Sequence, residues 1–303
     1  MAATSIVTLD LNFQGLPQAI ATYLIRRRDT AVLVECGPGS TLEALRAGLA
    51  ANGLSPRDVT HVLLTHIHLD HAGAAGWMAA QGAKILVHPV GAPHLQNPEK
   101  LLRSAQRIYG DQMHPLWGDF LPVPESSLQV PSDGEELRIG SLRFVALDTP
   151  GHAEHHFAYL LEDVCFTGDV GGVRIPGYPY LRIPMPPPEL NLEKWRGSIE
   201  RLQACKPKRI APTHFGLFDD PVWHWRQVQQ RLDHTARWLE AAMRSEPGVE
   251  ELRRRFVEHI NAEGERHGLS EAAIRSYDLA NPLGMSADGL FRYWNKTRSS
   301  SAA

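Results

Sequence analysis

The sequence predicts a mixed α/β fold in which helices cover an interior built of sheets, and three observations carry that expectation. Short apolar runs of strand type alternate with helical stretches from the N-terminus to about Phe218, the pattern of layered α/β domains. Those runs repeatedly stop on glycine or on a His or Asp, at Thr65-His66, Pro150-Gly151-His152, Gly168-Asp169 and Thr213-His214. Functional groups at such positions are held by a rigid scaffold while their tips stay accessible. Finally, 303 residues with 43% hydrophobic content suffice for a large core domain with an appendage and argue against a disordered chain.

Taken in order, "ATYLIRR" (21–27) and "TAVLVECG" (30–37) read as a pair of strands. "STLEALRAGLAANG" (40–53) has helical spacing, with Ser40 as N-cap and Gly53 as terminator. "HVLLT" is the next strand, "GAAGWMAAQG" a helix of small residues, and "AKILVHP" a strand again. "LRFVALDTPG", "HFAYLLED", "VCFTGD" and "RIAPTH" follow, each an apolar run closed by polar or glycine punctuation. Two segments interrupt the alternation. Residues 91–124 hold a short helical piece between Pro-rich flanks, and residues 172–191, "GVRIPGYPYLRIPMPPPELN", carry too much proline for regular structure. Long irregular segments in a compact domain serve as lids or binding loops. From Asp219 onward the composition turns helical: "DDPVWHWRQVQQRLDHTARWLEAAMRS" opens on an acidic cap and a first-turn Pro, and two further helical stretches follow. Residues 1–218 are therefore read as a catalytic domain and 219–303 as a helical extension.

Composition narrows the function. Net charge is only -3 and Lys and Arg form no stripe, so no nucleic-acid partner is expected. The start, "MAATSIVTLDLNFQG", has Asp10 in its apolar stretch and no basic leader, unlike a secretory signal. No run approaches the roughly 18 apolar residues of a membrane span, and a cytoplasmic protein is expected. Cys36, Cys165 and Cys205 lie far apart without CxxC spacing. That fits a reducing compartment, with each thiol a small core residue.

The densest chemistry is in "VLLTHIHLDHAG" (62–73), where six positions supply His66, His68, Asp70 and His71. Residues two apart in an extended loop point the same way, so His66 and His68 can grip one ion, while adjacent Asp70 and His71 diverge toward a second. His152, Asp169 and His214 bring the set to about the seven ligands that a dinuclear hydrolytic site needs with coordination left for water.

These residues carry a resemblance. "THIHLDH" resembles the HxHxDH signature of the metallo-β-lactamase superfamily, and "DTPGH", "FTGD" and "PTH" follow in that family's order over roughly residues 5 to 218. The resemblance implies a four-layer αββα sandwich with a C-terminal helical extension. It assigns His66, His68 and His152 to a first ion, Asp70, His71 and His214 to a second, and Asp169 to a bridge between them. The cysteine ligand of the antibiotic-hydrolysing branch is replaced by Asp169, so β-lactamase activity is not expected. The pattern is instead similar to glyoxalase II-type thioesterases, lactonases, and the nuclease and phosphodiesterase branches.

What the resemblance implies is a hydrolase with two divalent ions, Zn foremost and Fe or Mn as alternatives. A bridging hydroxide would attack a small-molecule ester, thioester or lactone, with Asp70 and Asp169 orienting the water and Asp70 as proton acceptor. The alternative is a phosphodiesterase or phosphotriesterase using the same site; a more remote one is a non-catalytic metal-binding module. His156 is expected to hydrogen-bond a ligand from behind. Substrate contacts are expected from Arg174, Tyr178, Tyr180 and Arg182 after the bridging Asp, from Tyr109, Met113 and Trp117 in the 91–124 segment, and from Phe215 beside His214. Arg would hold a carboxylate or phosphate and the aromatics an apolar wall. The helix bearing Trp223, Trp225 and Trp238 either completes its own domain or forms a homodimer face.

Overall fold

A strand that is apolar on both faces must be covered on both, and most strands of this chain are of that kind. In the computed structural model, which describes residues 3–301, β1 (Ser5–Asp10), β2 (Ala21–Arg27), β3 (Thr30–Val34), β4 (Val59–Leu63), β5 (Lys84–Leu86) and β6 (Leu128–Gln129) lie side by side in that order. Pairing is antiparallel from β1 to β3 and parallel from β3 to β6. A second sheet runs β7 (Glu136–Ile139), β8 (Leu142–Asp148), β9 (Phe157–Leu161), β10 (Val164–Phe166) and β11 (Arg209–Ala211), antiparallel except for the parallel pair β10 and β11.

Side-chain alternation assigns the faces. Tyr23 and Ile25 of β2 and Val32 and Val34 of β3 meet Phe144, Phe157, Tyr159 and Phe166 of the second sheet in one buried layer. Tyr23 and Phe166 pack edge to face at 5.3 Å. The opposite faces are covered by helices. Leu24, Leu33 and Val62 pack under α1 (Leu42–Ala51), the single turn α2 (Leu69–Ala72) and α3 (Ala75–Ala80). The segment 91–124 folds into α4 (Ala92–Gln96), α5 (Glu99–Tyr109) and α6 (Met113–Trp117). Leu147, Ala158, Cys165 and Ile210 pack under α7 (Leu192–Ala204) and α8 (Pro221–Met243), and α9 (Val249–Arg266), α10 (Glu271–Ala280) and α11 (Leu283–Ser301) complete the C-terminal helical region. The layers run helix, sheet, sheet, helix. No helix among the described residues is long and apolar enough to cross a membrane.

Several local expectations are corrected. β1, α7 and α11 stand where the sequence assigns no element. β1 is an edge strand in which only Leu9 is fully buried, so its alternation is faint; α7 starts immediately after the Pro-rich run, where the Asn191 side chain accepts from the Lys194 amide at 2.8 Å. Ser40 does not cap α1, because its hydroxyl donates to the Leu116 carbonyl instead. Asp220 stands at the start of α8 without capping it; its carboxylate takes both guanidinium nitrogens of Arg174, at 2.6 and 2.8 Å. Cys36 and Cys165 are buried, but Cys205 is exposed beyond the last turn of α7. Of the tryptophans on α8, Trp225 is buried and Trp238 packs on Phe256 of α9.

Two measurements test this packing. Phe166→Ala removes a fully buried ring from between the sheets and should cost about 3–5 kcal/mol in denaturant unfolding. His224 is buried on α8, donating from Nε2 to the Gly171 carbonyl at 2.7 Å, and burial pushes its pKa down to about 4. The unfolded chain takes up this proton near pH 6.5 and the folded chain only near 4, so acidification through that window should destabilise the fold. The fall in melting temperature from pH 7 to pH 5 should be smaller in His224→Gln.

Candidate metal centre

Strand ends from both sheets converge on one edge of the sandwich, tied together by the backbone. The Phe157 amide donates to the Thr65 carbonyl at 2.7 Å, the Ala21 amide to the Thr213 carbonyl at 2.8 Å, and the buried Tyr159 hydroxyl to the Leu64 carbonyl at 3.0 Å. Beyond β4 the chain leaves the sheet through Thr65 and His66, and His68 opens α2, so Asp70 and His71 share one helical turn. His152 follows β8, Asp169 follows β10 and His214 follows β11.

The seven residues come together as two sets. His68 Nδ1 lies 2.9 Å from His66 Nε2 and 3.0 Å from His152 Nε2. Asp70 Oδ2 lies 3.3 Å from His214 Nε2 and 3.6 Å from His71 Nε2. Asp169 stands between the sets: Oδ2 is 3.3 Å from His152 Nε2, and Oδ1 is 3.2 Å from His71 Nε2 and 3.4 Å from His214 Nε2. His68 Nδ1 has at most one proton to share between His66 Nε2 and His152 Nε2, and a cation among the three nitrogens would satisfy them together. His71 Nε2, His214 Nε2 and Asp169 Oδ1 are buried without a normal hydrogen-bond partner, and orphaned polar atoms of this kind call for an unseen ion. Both triads, His66-His68-His152 and Asp70-His71-His214, keep their ligand atoms within 4.8 Å, and imidazole with carboxylate is a donor set for Zn and related ions. The residues fit a divalent metal.

The other ring nitrogens explain why the Nε2 atoms face inward. His152 Nδ1 donates to the Pro184 carbonyl at 2.8 Å and His214 Nδ1 to the Ala19 carbonyl at 2.6 Å, which assigns the tautomer through the partner. His71 Nδ1 is 3.0 Å from Glu35 Oε1, and His66 Nδ1 is 3.0 Å from Thr65 Oγ1. Glu35 was not singled out from the sequence, and it organises the site from behind. Fully buried just past β3, it receives the Thr65 amide at 3.2 Å, the Thr213 hydroxyl at 3.1 Å and a close bond from the Thr65 hydroxyl, besides His71. Its signal was a charge closing the apolar run "TAVLVE". It also forms a metal-type triad with His66 and His71, but it engages the Nδ1 edge of His71, opposite the Nε2 that meets Asp70 and Asp169.

His156 is a correction. It makes no hydrogen bond to a ligand: Nδ1 pairs with the Thr149 hydroxyl at 2.8 Å, and its ring stacks on His66 at 5.1 Å. The turn before Asp169 needs glycine there. Gly168 has φ +51°, and a Cβ would stand 2.5 Å from Thr65 Oγ1 and 2.6 Å from His156 Nε2.

Burial and mutual charge sort the protonation states. Burial pushes His66 well below its ordinary value and His68 down to about 3. Burial opposes ionisation of Asp70 and Asp169, yet His71 and its neighbours outweigh it; Asp70 falls to about 2 and Asp169 well below the carboxylate range. For His71 and His214, burial works against the charged form, but Asp70 and Asp169 raise both. Without a cation these two imidazoles hold protons against the carboxylates, and a metal would displace them.

Over the site lies a cavity of about 330 Å³ with His68, Asp70, His152 and Asp169 at its base. Tyr109 and Trp117 line it, as expected from the 91–124 segment, and Met113 does not. Five other expectations are corrected, because the structure places Arg174, Tyr178, Tyr180, Arg182 and Phe215 away from the cavity lining. Arg174 pairs with Asp220 and stacks on Phe218 and Trp223. Tyr178 bonds Ser270 at 2.9 Å. Tyr180 is buried against Tyr277 and beneath the Arg231 guanidinium, while Arg182 bonds Asp278 at 2.5 Å. Phe215 belongs to the layer between the sheets. The first part of the segment after Asp169 fastens the C-terminal helices, while Pro184 and residues 186–189 return to line the cavity over the metal ligands.

A model of the Metallo-beta-lactamase superfamily matches residues 16–214, and with this fold the chain belongs to that superfamily. A metallo-beta-lactamase fold-containing protein of Sulfurisphaera tokodaii is 27% identical over 218 residues, 70% of this chain and 79% of that protein. An atrochrysone carboxyl ACP thioesterase of Aspergillus fumigatus is 28% identical over 73% of this chain. The chain spans only 57% of that thioesterase's length. A metallo-beta-lactamase family protein of Thermus thermophilus shares the fold at a TM-score of 0.66 and 21% identity, over 97% of this chain and 93% of its own. Hydrolases of thioesters thus stand among the relatives, and the His and Asp clusters are compatible with divalent metal binding.

Glu35→Ala would leave the Thr65 and Thr213 hydroxyls and His71 Nδ1 without their acceptor. Zinc affinity measured by competition with a chromophoric chelator should fall roughly 10- to 100-fold; unchanged affinity would remove Glu35 from the site.

Proposed function

We propose that the chain is a metal-dependent hydrolase of a small-molecule ester, thioester or lactone, with zinc as the principal ion. The carrying observation is the convergence of the unpartnered His71 Nε2, His214 Nε2 and Asp169 Oδ1 beneath an open cavity. His66, His68 and His152 would hold one ion, Asp70, His71 and His214 the other, and Asp169 would touch both. Bound there, the ions supply Lewis acidity and bring a coordinated water to ionisation near neutral pH.

The chain's own groups divide the rest of the work. Asp70 is the more open of the two inner carboxylates, with 21% of its side chain accessible against 5% for Asp169. It is the group able to accept a proton from the attacking water while Asp169 stays fixed between the triads. The fixed Nδ1 partners of His71, His152 and His214 keep the ligand ring orientations through the reaction. Among the described residues, Lys100 is the sole Lys or Arg lining the cavity. A site built for phosphodiesters would present a cationic clamp, so the lining favours acyl over phosphoryl transfer. The thioesterase among the relatives supports the same choice.

His66→Ala and Asp169→Ala should each bind less metal by elemental analysis and hydrolyse p-nitrophenyl acetate at least about 100-fold more slowly than wild type. Stripping metal with chelator should abolish turnover and zinc should restore it. A wild-type rate in a variant holding less than half the metal would defeat the two-ion reading. Turnover of bis-p-nitrophenyl phosphate above that of every ester would defeat the acyl assignment.

A further inference from the structure

The cavity has a wall whose polar groups are already engaged elsewhere. Where α10 turns into α11, Asn281 Nδ2 donates to the Ile183 carbonyl at 3.2 Å and its Oδ1 accepts from Ser286 Oγ at 2.7 Å. Ser286 Oγ accepts in turn from the Met185 amide at 3.2 Å, and Asp278 is held by Arg182. What this wall offers the cavity is Leu279 and Met285. The facing wall offers Leu101, Ala105 and Ile108 from α5 and the ring of Trp117. Of these, Ile108 is half exposed, marking the mouth. An acyl group lying against the α10–α11 side finds Asn281, Ser286 and Asp278 already paired there, with nothing to reward a hydroxyl or charge, and the polar Lys100 and Ser104 of the lining stand on α5. The chamber does reward hydrocarbon, and its volume falls in the roughly 300–1,000 Å³ range of small-molecule pockets.

Resting on the hydrolase reading above, the geometry points to a substrate class: esters or thioesters whose acyl group is an apolar hydrocarbon chain of medium length. The acyl chain lies between α5 and the α10–α11 turn, with its carbonyl over His68, Asp70, His152 and Asp169. The acyl chain runs toward Ile108, and the alcohol or thiol leaves first when the C–O or C–S bond breaks. Water supplies the oxygen of the released carboxylic acid, and the leaving group takes up the proton. Ala105 and Ile108 then determine which chain lengths fit.

The test uses the zinc-loaded full chain with p-nitrophenyl acetate, butyrate, octanoate and dodecanoate, and with the half-succinate ester as a charged control. On this proposal kcat/KM climbs about 3- to 4-fold per added methylene until the cavity is full, and the succinyl ester is poorer than butyrate. Ile108→Glu, at a position that tolerates charge for folding, should cut octanoate turnover at least about tenfold and lower the octanoate-to-acetate ratio of kcat/KM. Ala105→Phe should move the optimum to shorter chains. Best turnover on acetate or on the succinyl ester, with the metal site active, would overturn the proposal and leave the hydrolase reading standing. If no ester turns over, calorimetric binding of octanoate decides the cavity separately: binding weakened by Ile108→Glu supports it, and no binding overturns it.

Discussion

One buried carboxylate holds the site in register. Glu35 reaches β3, the exit of β4 through Thr65, the α2 turn through His71 and the exit of β11 through Thr213. An anionic group with no access to water is tolerated only when its oxygens are fully engaged, and here the engagement is what joins the two sheets at their functional edge. The inner ligands are the next layer outward. His71 is gripped by Glu35 at one nitrogen and faces Asp70 and Asp169 with the other, so a displacement of β3 would be felt directly at the reacting edge.

The sandwich explains why such distant segments can be so tightly coordinated. Each ligand leaves the sheet at or just after the end of a rigid strand, and the ends are cross-tied by main-chain bonds such as Phe157 to Thr65 and Ala21 to Thr213. Main-chain ties of this kind do not depend on side-chain rotamers. The site is therefore preorganised before a metal arrives, and the inward Nε2 atoms of His71 and His214 are set by carboxylate and carbonyl partners behind them.

The ligand set was legible in the sequence because its spacing is local and chemical: four metal-capable side chains in six positions, and three more directly after apolar runs. The helical C-terminal region was legible from periodicity. Substrate contacts were not, since closeness along the chain to Asp169 does not imply closeness to the cavity. Residues 172–183 turn away before the chain returns to the cavity at Pro184, and Arg174 and Arg182 are consumed by Asp220 and Asp278, partners about 46 and 96 positions later. Nothing local distinguishes an arginine that will be buried in a pair from one that will meet a ligand. His156 differs for a related reason, its sequence position beside the ligands being genuine while Thr149 takes Nδ1 and Nε2 meets no ligand at hydrogen-bond distance.

The same ion pairs connect the C-terminal helices to the cavity. Arg182 holds Asp278, the Tyr277 hydroxyl donates to the Tyr180 carbonyl at 2.9 Å and accepts from the Ile175 amide at 3.1 Å, and Asn281 reaches the Ile183 carbonyl. Within the Pro-rich segment Val173 and Arg182 pair with each other, while the backbone groups of Ile175, Tyr180, Ile183 and Met185 take their partners from α10 and the α10–α11 turn. The cavity wall is thus one composite of an irregular loop and a helix turn, each satisfying the other. Metal ligands and cavity wall meet at Pro184, whose carbonyl accepts from His152 Nδ1, and are otherwise fastened apart, the ligands by Glu35 inside the sandwich and the wall by Arg182 and Tyr277 outside it. A change in the helical region can reshape what enters the cavity without disturbing the strand ends that hold the ligands.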